Sequence, residues 1–428
     1  MSTTPNVAVI HYPEGAGHAT RMLAIANALE EEGANVSFGG GGAGTEFVAL
    51  NGYDAVEPTT VDFIDTYQEG SLWQSVRHSV PASLGRIADC QAWLASTEPD
   101  AVVTDDMFAA MAASRCDIPL YVLKHDMPGL YLNPLERGGA QFHTLFQLSA
   151  AKEFFYPVVW PESGVDPDRA TRIPPVALDG EPAVRDDAEI VVVPSHYSSL
   201  DRVADHLCRQ GYDGVNVADD DWEAVPSLLP YIRGADCVVC SGYSTIMDAA
   251  VAGTPCVVHP ATDEQDAVAE WIQRFDVTGF TVAPEPIDVL DAVATPPDEP
   301  EFRNGADVIA GRVLTDVRDP DPYATPDSDT DDRPTVISRA TWGHSLRAVP
   351  TLLAVSLLTI GSVVHPGRVG AGAQSKIQRV GGSIRNGLSR GYRAAGSTVA
   401  AGSTQLVDGV KRLQGAIKRL SSEAASPF

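Results

Sequence analysis

The chain has 428 residues, 44% of them hydrophobic, which suits two domains with real cores plus an appendage and excludes one ordinary domain. Its formal net charge is −27, from 57 acidic and 30 basic residues, so the acidic part repels phosphates and nucleic acid is excluded as its partner. Such an excess reads as a solvated acidic surface, as in proteins of a high-salt cytoplasm where salt screens self-repulsion, and it says nothing about chemistry.

In chain order, Met1–Asn6 runs directly into a predicted strand, Val7–His11, with no signal peptide before it, so the start of the chain is expected in the cytoplasm. Thr20–Glu32 has helical periodicity, with apolar Met22, Leu23, Ile25, Ala26 and Leu29. A strand follows over Asn35–Phe38, then the glycines Gly39–Gly42 and a helix around Glu46–Leu50. A long helical stretch runs through Trp93, followed by strand Ala101–Thr104, helix Ala109–Arg115 and strand Leu120–Leu123. The alternation restarts after the Pro- and Asp-rich stretch Pro174–Asp187. Strand Ile190–Val193, helix Leu200–Arg209 and strand Val215–Val217 come first. Strand Cys237–Cys240, helix Thr245–Ala252 and strand Cys256–His259 complete the pattern. Strands alternating with helices predict parallel sheets, and two such α/β halves in tandem predict a cleft at the carboxyl ends of their strands. Cys237 and Cys240 have CxxC spacing, but no second pair or nearby His completes a zinc set. They read as reduced, buried residues of an intracellular protein.

The end of the chain differs. Residues 334–428 hold 12 Lys/Arg and 2 Asp/Glu, a net of +10, which leaves 18 basic and 55 acidic residues elsewhere, a net of −37. Asp316–Asp332 reads as a solvated linker. Val349–Val364 is 16 uncharged residues, short of the ~20 of a perpendicular membrane span. Ile377, Val380, Ile384 and Leu388 recur at helical spacing, as do Val407, Val410, Leu413, Ile417 and Leu420, with basic residues between them. This predicts amphipathic basic helices on an anionic membrane surface. The competing readings are a partly disordered tail or one packed on the acidic body of its own protein.

Three segments carry chemistry. The first is His11-Tyr12-Pro13-Glu14-Gly15-Ala16-Gly17-His18, between the first strand and helix. Its glycines let a ligand approach the backbone, and the helix N-terminus offers unpaired N–H groups. His18 is expected to project from the loop tip, where a neutral imidazole can accept a proton from an attacking hydroxyl. Otherwise it merely caps the helix. Asp105, ending strand Ala101–Thr104, is expected to orient His18 or act itself, or else to cap its loop. The second segment runs from Ala235 to Pro255 through Cys240-Ser241-Gly242-Tyr243-Ser244-Thr245. Gly242 permits a tight turn, Ser244 or Thr245 begins the helix, and N–H groups and hydroxyls there can bind a diphosphate. Asp248, about one turn further, can accept from ribose hydroxyls. The third, Pro260-Ala261-Thr262-Asp263-Glu264-Gln265, again follows a strand. Its carboxylates and amide can bind sugar hydroxyls, while Thr262 or Asp263 can also cap the next helix.

In this order and spacing the segments resemble the GT-B glycosyltransferases of the MurG/UDP-glycosyltransferase type, a family 28-like pattern, over roughly residues 6–315 and most specifically over 235–265. With the acidic surface, the resemblance points to a salt-adapted archaeal source. It implies two Rossmann-like domains facing across a cleft: an acceptor domain over 1–175 and a nucleotide-sugar donor domain over 188–315. An acidic linker over 316–333 and a basic, membrane-associating tail over 334–428 follow. It also implies that Ser241, Gly242, Ser244 and Thr245 hold the donor diphosphate, that Asp248 contacts ribose, and that Asp263, Glu264 and Gln265 contact the transferred sugar. Glu14, Gly15, Gly17 and His18 then face the acceptor. Such enzymes need no bound metal or cofactor, the nucleotide-sugar, expected to be a UDP-sugar, being a co-substrate. The sequence departs from the family where Gln265 is followed by Asp266 rather than Asn, and where the usual glycine-rich loop is Pro194-Ser195-His196-Tyr197-Ser198-Ser199, whose Ser195 and His196 can still face phosphate.

The expected activity is sugar transfer to a hydroxyl acceptor, with a lipid-linked acceptor as one candidate, by a cytoplasmic protein held peripherally at the inner face of the membrane. The alternatives are a nucleotide-sugar epimerase of the same fold and a non-catalytic, membrane-tethered nucleotide-sugar-binding protein.

Overall fold

In the computed structural model the described residues are 4–61, 72–128, 143–163, 166–167, 169–181, 188–195, 198–220 and 222–319. His196, most of the linker and the whole basic tail, with Val349–Val364 and both amphipathic patterns, lie outside them. The chain divides into two compact units. One is Met1–Asp65 with Pro81–Pro334, and it holds everything below; of the other, Thr66–Val80 with Thr335–Phe428, only the start of one helix is described.

The first sheet contains β1 (Asn6–Ile10), β2 (Asn35–Gly39), β3 (Ala101–Thr104), β4 (Leu120–Leu123), β5 (Glu153–Pro157) and β6 (Ala170–Ile173), all parallel, in the order β2-β1-β3-β4-β5-β6. The second contains β7 (Ile190–Val193), β8 (Gly214–Asn216), β9 (Cys237–Cys240), β10 (Cys256–Val258) and β11 (Phe280–Val282), again all parallel, in the order β11-β10-β9-β7-β8. Short runs such as Val-Val-Val and Cys-Val-Val-Cys are apolar throughout because both faces of a parallel sheet are covered. All six cysteines are free thiols, and Cys237, Cys240 and Cys256 are buried among these strands.

The helices are α1 (Ala16–Glu31), α2 (Thr45–Leu50), α3 (Leu72–Thr97), α4 (Met107–Arg115), α5 (Leu200–Gln210), α6 (Leu229–Gly234), α7 (Tyr243–Ala252), α8 (Asp263–Arg274), α9 (Pro286–Ala294) and α10 (Ala306–Arg318). Among the described residues no helix is long and apolar enough to cross a membrane.

Two features correct the reading in sequence order. Helix α1 begins at Ala16, not Thr20, so His18 sits inside its first turn and not at a loop tip. Helix α10 follows the second sheet in sequence, but its Ile309, Ala310, Val313 and Leu314 are buried in the same core as Met22, Leu23, Ile25 and Leu29 of α1. At roughly 1.5–3 kcal/mol for each large apolar side chain removed from water, that seam ties α10 to the first half. Tyr121 donates to Asp316 at 2.8 Å, and Lys152 pairs with Asp316 at 2.9 Å across it. Residues 306–318 therefore pack with the first half, and the helix runs through Asp316 into what the sequence suggested was linker.

In each sheet the chain passes to one side of its first strand and then to the other, so the order reverses between β1 and β3 and again between β7 and β9. A crevice opens outside the carboxyl ends of strands at such a switch point, and ligands of open α/β sheets bind there.

Candidate functional site

The first crevice is densely hydrogen-bonded. Thr104 at the end of β3 donates its hydroxyl to Ile10 O of β1 (2.7 Å) and accepts from Asp106 N (2.9 Å), joining the two strand ends. Asp106 caps α4 by accepting from Phe108 N at 2.7 Å and takes the Nε–H of Arg86 at 2.6 Å. Arg86, on α3, is fully buried and also donates to the carbonyls of Gly40 (3.0 Å) and His11 (3.1 Å), and to those of Pro58 and Thr59 at 3.3 Å. The capping role considered for Asp105 thus falls to its neighbour.

Asp105 is freed for another task. Its Oδ1 accepts from Tyr12 N at 2.8 Å, and its Oδ2 lies 2.7 Å from His18 Nδ1. Burial by itself raises a carboxyl's pKa, but the His18 ring, Arg21 and the Tyr12 amide outweigh it and hold Asp105 below the ordinary carboxylate value. An ionised carboxylate can only accept, so the Nδ1–H donates to it, and in the neutral tautomer this selects, Nε2 is the acceptor. The His18 side chain is 24% exposed, against 3% for Asp105, so the pair opens to solvent through the imidazole. Glu14 is half-buried beside the Tyr12 phenol, whose pKa is pushed up first by burial and then by that carboxylate. Gly15, at φ 82°, is the N-cap of α1, so His18 does not cap the helix.

The second crevice is sparsely bonded. Ser241 follows β9 fully buried, and its hydroxyl has no partner among the described residues. The buried Oγ of Ser195, after β7 on the other side of the switch point, has none either. Gly242 is the N-cap of α7 with no side-chain capping bond, and a Cβ there would meet nothing within 4 Å. The first turn of α7 therefore has no side-chain cap and begins beside a buried hydroxyl that lacks a partner among the described residues. Thr245 is buried in the first turn. Asp248 is half-buried one turn further, with no hydrogen-bond partner among the described residues, and burial pushes its carboxyl up to about 7 against the pull of Arg21.

Two of the predicted donor residues are partly engaged elsewhere. Ser244 donates across the crevice to Gly17 O at 3.4 Å, and a Cβ on Gly17 would stand only 2.8 Å from Ser244 Oγ. Glycine at 17 is thus what lets α1 and α7 meet end to end. In the third segment Thr262 caps α8, accepting from Gln265 N at 3.4 Å, while Gln265 Oε1 accepts from Ala261 N at 2.8 Å. The capping role is realised, and the Gln265 amide nitrogen and the half-exposed Glu264 carboxylate are left to meet a ligand. Asp263 is the first residue of α8.

Sequence reasoning missed the residues that join the two crevices. His125, just past β4, stacks on Tyr243 with ring centroids 4.6 Å apart and lies 5.7 Å from His18. Its Nε2 is 3.8 Å from Glu264. Burial first, and then the Arg21 charge, hold His125 well below the usual imidazole value, so it is neutral. The Tyr243 hydroxyl donates to Pro157 O of the first sheet. His125 lies in none of the three segments, and Tyr243 stands in the second with no role given to it; the available signal was their place at strand and helix ends. No group of three or more His, Cys, Asp and Glu among the described residues is gathered to hold a metal ion.

No protein-family model and no curated protein matches the chain. Solved structures do. The Streptomyces sp. SF2575 glycosyltransferase SsfS6, complexed with thymidine diphosphate, superposes with TM-score 0.51 at 14% identity, over 73% of this chain and 95% of that one. The spinosyn forosaminyltransferase SpnP gives TM-score 0.50 at 15% identity, over 74% and 95%. With its two parallel sheets, the chain has the two-domain α/β fold called GT-B.

Proposed function

We propose that the chain is a glycosyltransferase that moves a sugar from a nucleotide-diphosphate sugar, a UDP-sugar first among candidates, to a hydroxyl acceptor. The observation that carries this reading is the meeting of two unlike crevices at Gly17–Ser244: an oriented imidazole on one side, and an open helix N-terminus with an unpartnered buried hydroxyl on the other. The diphosphate sits at Ser241–Thr245, where helix N–H groups and hydroxyls accept an anion. Asp248 faces the ribose, and Glu264 and Gln265 the sugar. That a structure of the same fold carries thymidine diphosphate supports this class of donor.

In the proposed step the acceptor hydroxyl gives its proton to His18 Nε2 as its oxygen attacks the anomeric carbon. The bond from that carbon to the phosphate oxygen breaks, and its electron pair leaves with the diphosphate towards α7, where the developing charge is stabilised. Asp105 fixes the ring and stabilises the imidazolium. Protein groups at the helix terminus supply this stabilisation, so turnover is proposed to be metal-independent and to survive chelation by EDTA.

The test is a transfer assay with UDP- and TDP-sugars against hydroxyl acceptors, with His18→Ala as control. Turnover should vanish in the variant while nucleotide binding persists; unchanged turnover removes His18 from the mechanism. The reading extends to the basic tail, residues 334–428, as an anchor on the anionic inner face of the membrane that holds the cleft beside a lipid-linked acceptor. Liposome flotation of the full chain, lost on removing 334–428, is the expected result, and flotation that persists rules the tail out.

A further inference from the structure

We infer that Arg21 is the first half's own contribution to the diphosphate site, its guanidinium donating to phosphate oxygens held at the N-terminus of α7. The inference rests on the proposed diphosphate site and adds a residue from the opposite sheet.

Arg21 lies one turn beyond Gly17 on α1. Its Nη1 is 3.9 Å from the point where a Cβ on Gly17 would stand, and Ser244 Oγ is 2.8 Å from the same point. The guanidinium therefore abuts the place where α1 and α7 meet. One face is supported by Tyr243, the first residue of α7, whose ring centre is 6.0 Å away and which His125 stacks against in turn.

What sets Arg21 apart is its lack of acceptors. Its side chain is only 4% exposed, yet among the described residues it approaches no carboxylate closer than the 3.7 Å to Asp105 Oδ2. That oxygen is already held by His18 at 2.7 Å, and the other oxygen by Tyr12 N. The guanidinium also comes within 3.3 Å of His18 Nδ1, but a ring nitrogen that gives its proton to Asp105 has no lone pair to accept with. Arg86 is the internal standard: equally buried, it places its three nitrogens on a carboxylate and four carbonyls. A buried cation with five N–H groups and no good acceptor is satisfied by an incoming anion, and the planar fork of arginine matches two phosphate oxygens at once. Asp248 and Glu264 feel its charge, but neither makes an ion pair with it among the described residues.

A simple support for Asp105 is the rival role, and nucleotide binding separates the two. Calorimetric titration of the wild type with UDP and UMP, and with TDP and TMP, gives a diphosphate-to-monophosphate affinity ratio. Arg21→Met, of similar length and uncharged, is expected to weaken diphosphate binding 10- to 100-fold while changing monophosphate binding less than about 3-fold. Arg21→Lys is expected to recover part of the loss, as a point charge without the fork. An unchanged ratio in Arg21→Met, even with turnover lost or its pH profile moved, overturns the inference and leaves Arg21 as a support for His18–Asp105. A wild type that binds none of the four nucleotides overturns the diphosphate site itself. If Arg21→Met does not fold, a diphosphate-bound crystal structure of the wild type decides: a guanidinium nitrogen within 3.2 Å of a phosphate oxygen is expected, and one beyond 4 Å overturns the inference.

Discussion

The two strand-end turns of this protein have the same local design and opposite interiors. Each follows a strand next to a switch point, contains glycine and opens a helix. At the first, the groups after β3 are tied down, Thr104 to Ile10, Asp106 to Arg86 and Phe108, Asp105 to Tyr12 and His18, while the buried His11 Nε2 after β1 has no partner among the described residues. At the second, Ser241 and Ser195 keep buried hydroxyls with no partner among the described residues, and a Cβ on Gly242 would meet none of those residues within 4 Å. Buried polar groups are normally paired, so the difference divides the labour. Carboxylates whose bonds are made hold a side chain still for proton transfer; a helix terminus flanked by unpaired hydroxyls is completed by its ligand.

The largest expected effect comes from removing what the first turn holds. His18→Ala is expected to lower kcat by 10²–10⁴-fold, or roughly 3–5 kcal/mol on the barrier, with nucleotide affinity unchanged in calorimetry. Asp105→Asn keeps the shape but removes the carboxylate that makes Nδ1 the donor, and is expected to lower kcat in the same direction with the same intact affinity. A parallel loss of nucleotide affinity in either variant breaks the proposed division. Next in size is Arg86→Ala, which leaves Asp106 buried and unpaired together with the carbonyls of His11 and Gly40. About 3–5 kcal/mol of stability should be lost in urea unfolding. A loss under 1 kcal/mol means that the bonds around Arg86 are not what holds the turn.

Why the sequence disclosed one half of this comparison and not the other follows from what each depends on. The strands before both turns, the glycines, His18, Ser241 and Asp248 are local features, and periodicity with turn chemistry located them. Arg86 is one charged residue in the middle of a long helix, and nothing nearby in the sequence says that its face is buried. Helix α10 has a clear apolar stripe, Ile309, Ala310, Val313 and Leu314, but a stripe does not name its partner, and chain order assigned it to the wrong half. Strands β5 and β6 were missed because Glu153–Pro157 and Ala170–Ile173 lie only 12 residues apart, and Glu153, Thr171 and Arg172 interrupt their apolar runs. His125 and Tyr243 gain meaning only from each other, across a gap in sequence that no local pattern spans. Glycine at 17 was read as room for a ligand; its tight neighbour is Ser244.

A smaller effect sharpens the contrast from the second turn. Ser241→Ala removes a buried hydroxyl that bonds nothing in the protein, so stability should stay within about 0.5 kcal/mol of wild type or rise slightly. Diphosphate affinity should fall about 10-fold, the cost of one hydrogen bond to a charged group. The same kind of deletion at Thr104 should instead cost about 1–3 kcal/mol of stability, because Ile10 O and Asp106 N both lose their partner. If Ser241→Ala destabilises the fold as much as Thr104→Ala, the second turn is not an open one.

The smallest expected effect on affinity is also the most particular, because one group moves stability and affinity in opposite directions. Burial raises the Asp248 carboxyl from an ordinary 3.8 to about 7 in the folded protein. Between those values the folded state keeps a proton that the unfolded chain has released. The folded state therefore binds more protons, and stability falls as pH rises from about 4 to about 7, then levels off once both states are ionised. A ribose hydroxyl donates to the ionised form, so donor affinity is expected to rise a few-fold as pH passes through about 7. Asp248→Asn cannot ionise. Relative to wild type it should lose both slopes: its stability advantage should grow across pH 4–7, and its affinity for UDP or TDP should be flat through pH 7. If the affinity step survives in Asp248→Asn, a different group titrates in the crevice and Asp248 does not face the ribose. If the step vanishes but the stability difference stays constant with pH, Asp248 meets the ligand with its ordinary pKa and is not held in the buried, half-closed setting between α1 and α7.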